Sequence, residues 1–191
     1  MYHFYNTECF VLGAEDISEG SRLLTLFTRE LGLVRVHARS IRVERSKLRS
    51  FLQPYSFAEV SLVRGREFWR LTTGGVGFGA LILDTMEKRC ALARISALSS
   101  RLIVGEERDS SLYEEFFAGT RALTRLNQEE LRRWELLLMA RLLSLLGYGD
   151  LEPVCAGMKS VSWDEDAISF ARGKEQNLAR FVDRALSASQ L

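Results

Sequence analysis

The chain has 191 residues, 47% of them hydrophobic and 27% charged, with 26 Lys and Arg against 25 Asp and Glu and a formal net charge of +1. Such a composition excludes a disordered or low-complexity chain and fits one large or two small folded domains. No stretch approaches the roughly 20 apolar residues of a membrane span, and the start, Met1 to Glu8, lacks the basic and apolar regions of a signal peptide, so the expectation is a soluble cytoplasmic protein with no membrane partner.

Residues 2–13, YHFYNTECFVLG, are rich in aromatic and β-branched side chains and predict a first strand ending at Gly13, followed by a turn over Glu15 to Gly20. Ser21 to Thr28 and the run from Gly32 predict a hairpin joined through Glu30-Leu31-Gly32, although Leu23 to Phe27 fits a helical turn by periodicity alone. From Val34 the apolar Val34, Val36 and Ala38 alternate with Arg35, His37 and Arg39, which predicts one buried face and one cationic face.

That strand opens the most charged stretch of the chain. Arg35, Arg39, Arg42, Arg45, Lys47 and Arg49 face one acid, Glu44, for a local charge of +5. A solvated surface is the simplest account of a charge run. Two features favour nucleic acid instead: the cations are mostly Arg, whose planar fork matches phosphate, and they are interleaved with Ile41, Leu48, Phe51 and Tyr55. Residues 1–80 carry 11 Lys and Arg and 8 Asp and Glu, a net +3, against −2 for the remainder.

Ser56 to Val63 alternates as a strand, Arg64-Gly65-Arg66 turns the chain, and Glu67 to Leu71 pairs back, with Arg64, Arg66 and Arg70 able to extend the cationic track. Five strands without a long helix between them predict a small barrel. With one basic side, it is what an OB-fold needs to bind single strands. Gly74 to Gly79 then predicts a linker, because four glycines in six residues lack both the P-loop ending and the dinucleotide spacing.

Beyond Ala80 the period becomes helical. Met86, Cys90, Ile95, Leu98 and Leu102 mark one helix, and Ser111 with Glu114 predicts a capping box that starts a second. Asn127 caps a third, with Leu131, Trp134, Leu138, Leu142 and Leu145 as its stripe and Gly147 as its stop; it is apolar on nearly every side and predicts the centre of a bundle. Residues 158–172 predict a short hairpin around Asp164-Glu165-Asp166, and Lys174 to Leu186 a last helix. The fold class expected is α+β: an OB-fold barrel over 1–73, a Gly-rich linker over 74–79, and a helical bundle with a small β-hairpin over 80–191.

Cys9, Cys90 and Cys155 form no C-x-x-C, and Cys9 and Cys90 sit among apolar residues that predict packing for both. With only His3 and His37 besides, no metal, no cofactor and no catalytic residue is predicted, and the protein is expected not to be an enzyme.

The residues also carry a resemblance. Tyr5 to Gly13, Gly20 to Gly32, Ser46 to Arg49 and Leu52 to Ser56, followed by Leu145-Leu146-Gly147-Tyr148-Gly149 and Cys155-Ala156-Gly157, resemble the RecO family of bacterial recombination mediators. The resemblance implies an OB-fold followed by a helical domain. It implies binding of single- and double-stranded DNA, annealing of complementary strands, contact with the C-terminal tail of single-stranded-DNA-binding protein, and work with RecR to load the recombinase RecA. Many relatives carry a four-cysteine zinc site after the Leu-Gly-Tyr segment, of which this chain keeps only Cys155.

The DNA-binding residues expected are therefore Arg35, Arg39, Arg42, Arg45, Lys47, Arg49, Arg64 and Arg66. For an acidic tail ending in apolar residues, Arg121, Arg125 and Arg132 beside Leu126, Trp134 and Leu138 are the expected partner site. The alternative is a protein-interaction adaptor whose barrel has lost strong DNA binding.

Overall fold

The computed structural model describes residues 3–42, 46, 48–81, 83–158, 161–163 and 167–189. The chain divides into two compact units, residues 1–81 with 96–113, and residues 82–95 with 114–191.

The first unit is built on five strands, β1 (Phe4–Asp16), β2 (Arg22–Thr28), β3 (Gly32–Ala38), β4 (Ser56–Val63) and β5 (Trp69–Ala80), with a single helical turn, α1 (Leu48–Phe51), before β4. They close into a barrel in the order β1-β2-β3-β5-β4, and only β3 and β5 run parallel. A closed five-stranded barrel of this kind is the OB-fold architecture. Its interior is filled from every strand by residues such as Val11, Leu24, Leu26, Val34, Val36, Leu62 and Trp69, together with Ile41 and Leu52 from the β3–β4 connection. On β3 the predicted alternation holds, with Val34, Val36 and Ala38 buried and Arg35 exposed.

Two expectations about this unit are corrected. The first strand does not stop at Gly13. Leu12 is an extra residue between the pairs Val11–Leu26 and Gly13–Thr25, and this bulge bends β1 so that it pairs with β4 over Phe4 to Phe10 and with β2 over Cys9 to Asp16. The Gly-rich stretch 74–79 belongs to β5 and pairs with β4 through Val60–Gly74, Glu59–Gly75 and Phe57–Gly79. Gly74 allows close approach, since a Cβ there would lie 3.0 Å from Leu48 Cδ2.

Residues 96–113 join this unit because the barrel's outer face is apolar on one side. Phe10, Phe27 and Phe57 pair across β1, β2 and β4 with their side chains buried, and Phe27 meets the Tyr113 ring edge-on at 5.4 Å. The Leu33 N–H donates to the Gly105 carbonyl at 3.3 Å.

The second unit holds the start of α2 (Met86–Leu102), most of α3 (Ser110–Ala122), and α4 (Leu131–Leu145), α5 (Ala167–Phe170) and α6 (Glu175–Ala188). As expected, α4 is buried along most of its length and ends before Gly147, whose φ of 83° stops the helix. The Trp134 indole donates to the Gly119 carbonyl at 2.7 Å, and a Cβ on Gly119 would lie 2.6 Å from Leu138 Cδ1, so that glycine is what lets α3 approach α4. The Asn127 capping box is present. The start of α3 is capped by Asp109, which accepts from the Leu112 N–H at 2.9 Å, rather than by Ser111, because Asp109 stands at the residue before the helix and Ser111 is already inside it.

The expected hairpin over 158–172 is not formed: residues 161–163 are irregular and Ala167 to Phe170 is helical. Asp164, Glu165 and Asp166 lie outside the described residues. Cys9 is buried as expected, and Cys155 is buried as well; Cys90, expected to pack, is instead exposed because it falls on the solvent side of α2. Among the described residues no helix is long and apolar enough to cross a membrane.

Candidate nucleic-acid interface

The candidate interface is centred on β3, which lies between β2 and β5. Arg35 projects outward, pairs with Glu15 of β1 at 3.2 Å, and places its guanidinium 5.5 Å from the centroid of the Phe68 ring. Phe68 belongs to the β4–β5 loop, residues 64–68, which also carries the exposed Arg66. Arg64 lies 5.0 Å over the Trp69 ring and pairs with Glu106. Cation–π contact of this kind holds a guanidinium over a ring while leaving N–H groups for other acceptors.

After β3 the chain turns at Ser40, whose φ of 55° is in the left-handed region. The turn brings Arg42 against the β1–β2 loop. Its backbone N–H donates to the Gly20 carbonyl at 3.2 Å, its Nη1 donates to the Ser18 carbonyl at 3.0 Å, and it pairs with Asp16 at 3.4 Å. Asp16 also accepts from Arg22 Nε at 2.7 Å. That hydrogen bond, then the charges of Arg22 and Arg42, hold the Asp16 carboxyl below the usual carboxylate range.

The fold thus collects Arg35, Arg39, Arg42, Arg64 and Arg66 around β3 and the two loops beside it. This is the face through which OB-folds engage extended strands. Arg39 and Arg66 have no carboxylate partner among the described residues. Such cations can neutralise phosphates, and the aromatic and apolar groups between them offer surfaces to bases. Arg49 is not part of this cluster. It rides on α1, whose Leu48, with Leu52 just beyond the helix, meets Gly74 of β5. Arg45 and Lys47 lie outside the described residues. Phe68 was not singled out from the sequence; its place between Arg66 and Trp69 at a hairpin tip was the available signal.

Comparison with known proteins is consistent with this geometry. Residues 1–76 match the family described as Recombination protein O N terminal. The chain is 34% identical over 151 residues to the DNA repair protein RecO of Salmonella dublin, covering 78% of this chain and 60% of that protein. Its N-terminal part thus matches the RecO family, and the chain is similar to RecO proteins along most of its length. It is also 29% identical over 144 residues to RecO of Clostridium perfringens, covering 73% of this chain and 56% of that one. The match to RecO of Caldanaerobacter subterraneus is 27% over 184 residues, 93% of this chain and 66% of the relative. The chain therefore spans a little over half to two thirds of the length of those relatives.

In the helical unit the residues of the expected partner site fall in different settings. Trp134 and Leu138 are fully buried and serve the core, so neither lines a surface pocket. Arg121 is exposed with its guanidinium 5.5 Å from the Phe117 ring centroid, and Arg125 is exposed as well. Arg132 borders a groove of about 410 Å³ whose apolar lining is Met86, Cys90, Ala91 and Leu131. Arg94 stands at the same groove, held to Glu135 by two bonds of 2.5 and 2.7 Å. Met86 is 64% exposed there.

The residues near Cys155 do not fit a four-cysteine zinc site. Cys9 lies in the barrel and Cys90 on α2, and among the described residues no three His, Cys, Asp or Glu side chains cluster as metal ligands. Burial raises the Cys155 thiol above its usual value, which opposes the thiolate a metal requires. The same segment is bound instead by a buried cation: Arg141 Nη2 donates to the carbonyls of Met158 at 2.5 Å and Val161 at 2.7 Å.

Proposed function

We propose that this chain is a RecO-family DNA-binding mediator of recombinational DNA repair that acts by binding rather than catalysis. It binds single- and double-stranded DNA, anneals complementary strands, and helps load a recombinase on single strands coated by single-stranded-DNA-binding protein. The observation that carries this reading is the cluster of Arg35, Arg39, Arg42 and Arg66 on the β3 side of a closed barrel, in a chain similar to proteins named for DNA repair.

Contacts made mainly to phosphate give weak sequence preference and strong salt dependence, because each neutralised phosphate releases counterion. Fluorescence anisotropy with a labelled single strand across a salt series tests this. Replacing Arg39, Arg42 and Arg66 together by Ala should weaken binding and reduce the magnitude of the log–log salt slope by about 2, at about 0.7 per single-strand contact. An unchanged slope in the folded triple variant would remove the β3 side from the interface.

For the protein partners, RecR and the acidic tail of single-stranded-DNA-binding protein, the groove beside Arg132 supports the second. Met86, Cys90 and Leu131 suit apolar terminal side chains, and Arg132 suits the carboxylates. Arg121 and Arg125 remain proposed as flanking cations. Tail peptide that binds wild type and Arg132→Glu equally would place the tail elsewhere. The same groove favours a second reading, a protein adaptor with a weakened barrel, if peptide binds and single strands do not.

A further inference from the structure

A row of residues crosses the outside of the barrel beyond the β3 face. On β1 the side chains of Tyr5, Cys9 and Val11 serve the core, so Phe4, Asn6 and Glu8 point the other way. Phe4 lies opposite Val63 of β4, Val63 opposite Arg70 of β5, and Arg70 beside His37 of β3. At about 4.8 Å per strand the row from Phe4 to His37 is roughly 14 Å long. It ends on the strand that carries Arg35.

Single exposed apolar residues are ordinary on protein surfaces. Phe4 differs in its surroundings. Its ring is 60% exposed, the buried Val63 separates it from an exposed arginine, and that arginine has no carboxylate partner among the described residues. Its backbone is also anchored on both sides: Tyr5 meets the Trp69 ring edge-on at 5.1 Å, and His3 meets Tyr5 at 4.7 Å. An exposed aromatic ring two strands, roughly 10 Å, from an exposed guanidinium offers the two elements of single-strand recognition, a stacking surface for a base and a cation for its phosphate.

We infer that Phe4 is a base-stacking platform, with Arg70 as its phosphate contact, on which a single strand leaving the β3 face continues across β5 and β4. This rests on the proposed DNA-binding reading and extends the strand's path to a side of the barrel outside the β3 cluster. The occupant is single-stranded nucleic acid because the row pairs an aromatic face with positive charge, and only an unpaired strand presents base faces.

The test uses the intact chain and two labelled strands of equal length and charge, one of thymidine and one abasic. Phe4→Ala should weaken binding to the thymidine strand by about 5- to 100-fold, leave the salt slope unchanged, and leave the abasic strand unaffected. Arg70→Ala should lower the slope magnitude by about 0.7 on both strands. Phe4→Trp should retain binding and show quenching on the thymidine strand beyond that of wild type. Equal affinity of Phe4→Ala and wild type for thymidine, or an equal loss on both strands, overturns the platform while leaving the DNA-binding reading intact. Wild type without salt-dependent binding overturns both.

Discussion

Arg141 and Trp163 share one acceptor. Arginine Nη1 lies 3.2 Å and indole Nε1 2.7 Å from the same Glu115 Oε1, while the guanidinium stands 4.9 Å from the centroid of the tryptophan ring. Arg141 is 4% exposed, so its charge is compensated by Glu115 and by the Met158 and Val161 carbonyls and not by water. Through those bonds one α4 side chain holds an irregular segment in place. Arg141→Met keeps the volume but strands a part-buried carboxylate and two carbonyls. It should cost about 3–5 kcal/mol and lower Tm by about 10 °C, with a red shift of emission that disappears in a Trp163→Phe background. Arg141→Lys should recover only part, because a point charge cannot reproduce the fork. A thermal unfolding curve unchanged by Arg141→Met would remove this role.

Gly32 begins β3 with a φ of 67°, and a Cβ there would lie 2.3 Å from the Glu107 carbonyl oxygen and 2.9 Å from the Glu107 nitrogen. Both obstacles are backbone, so neither can rotate away. Gly32→Ala should therefore destabilise by more than the about 1–2 kcal/mol of a left-handed alanine alone. Gly147→Ala is the control: its φ is 83° and nothing lies within 4 Å of the added carbon, so only the conformational cost applies. Chemical denaturation of the two variants measures the difference, and equal losses would mean that residues 103–108 yield to the new methyl.

The strands were legible because a half-buried strand writes its burial into every second residue, as Val34, Val36 and Ala38 do beside Arg35. The bulge at Leu12 was not, since one extra apolar residue within an apolar run leaves no mark on the pattern. The glycines of β5 pointed to a linker because composition shows conformational freedom but not the approach of Leu48 to Gly74. Residues 96–113 were assigned to the helices by periodicity alone; their place beside Phe27 and Leu33 depends on which barrel face is apolar on the outside. In the site, charge density located the β3 arginines, but an arginine read alone carries no sign of burial. Nothing in the sequence therefore separates Arg141 from Arg132, although one is a core cation and the other lines a groove.

The three thiols should separate by reactivity. Burial pushes the Cys9 thiol up to about 12, partly offset by a hydrogen bond with the Ala58 backbone, and Cys155 is also raised by burial. Cys90 is exposed. At pH 8 a disulfide reagent should therefore modify one thiol per chain quickly, and Cys90→Ser should abolish that phase. The other two should react only on unfolding. A fast phase that persists in Cys90→Ser would mean that the barrel or the 151–158 segment opens readily.

Asp16 is one of the acids paired with the cationic cluster, beside Glu15 and Glu106, and it neutralises part of what a strand would meet. It takes 2.7 Å and 3.4 Å contacts from Arg22 and Arg42, and its carboxyl is held below the usual range first by the Arg22 hydrogen bond. A depressed value means that the pairing is complete above the ordinary carboxylate pKa of about 3.9 and is lost only as pH falls through the folded value. Binding of wild type to a single strand should accordingly gain nothing from this group between pH 8 and 5. Asp16→Asn keeps an oxygen to accept from Arg22 but removes the charge at every pH. It should bind about two- to fivefold more tightly at pH 7, the scale of an exposed ion pair, with a steeper salt slope. Weaker binding by Asp16→Asn would show instead that the carboxylate's main effect is to position Arg42 for the phosphate.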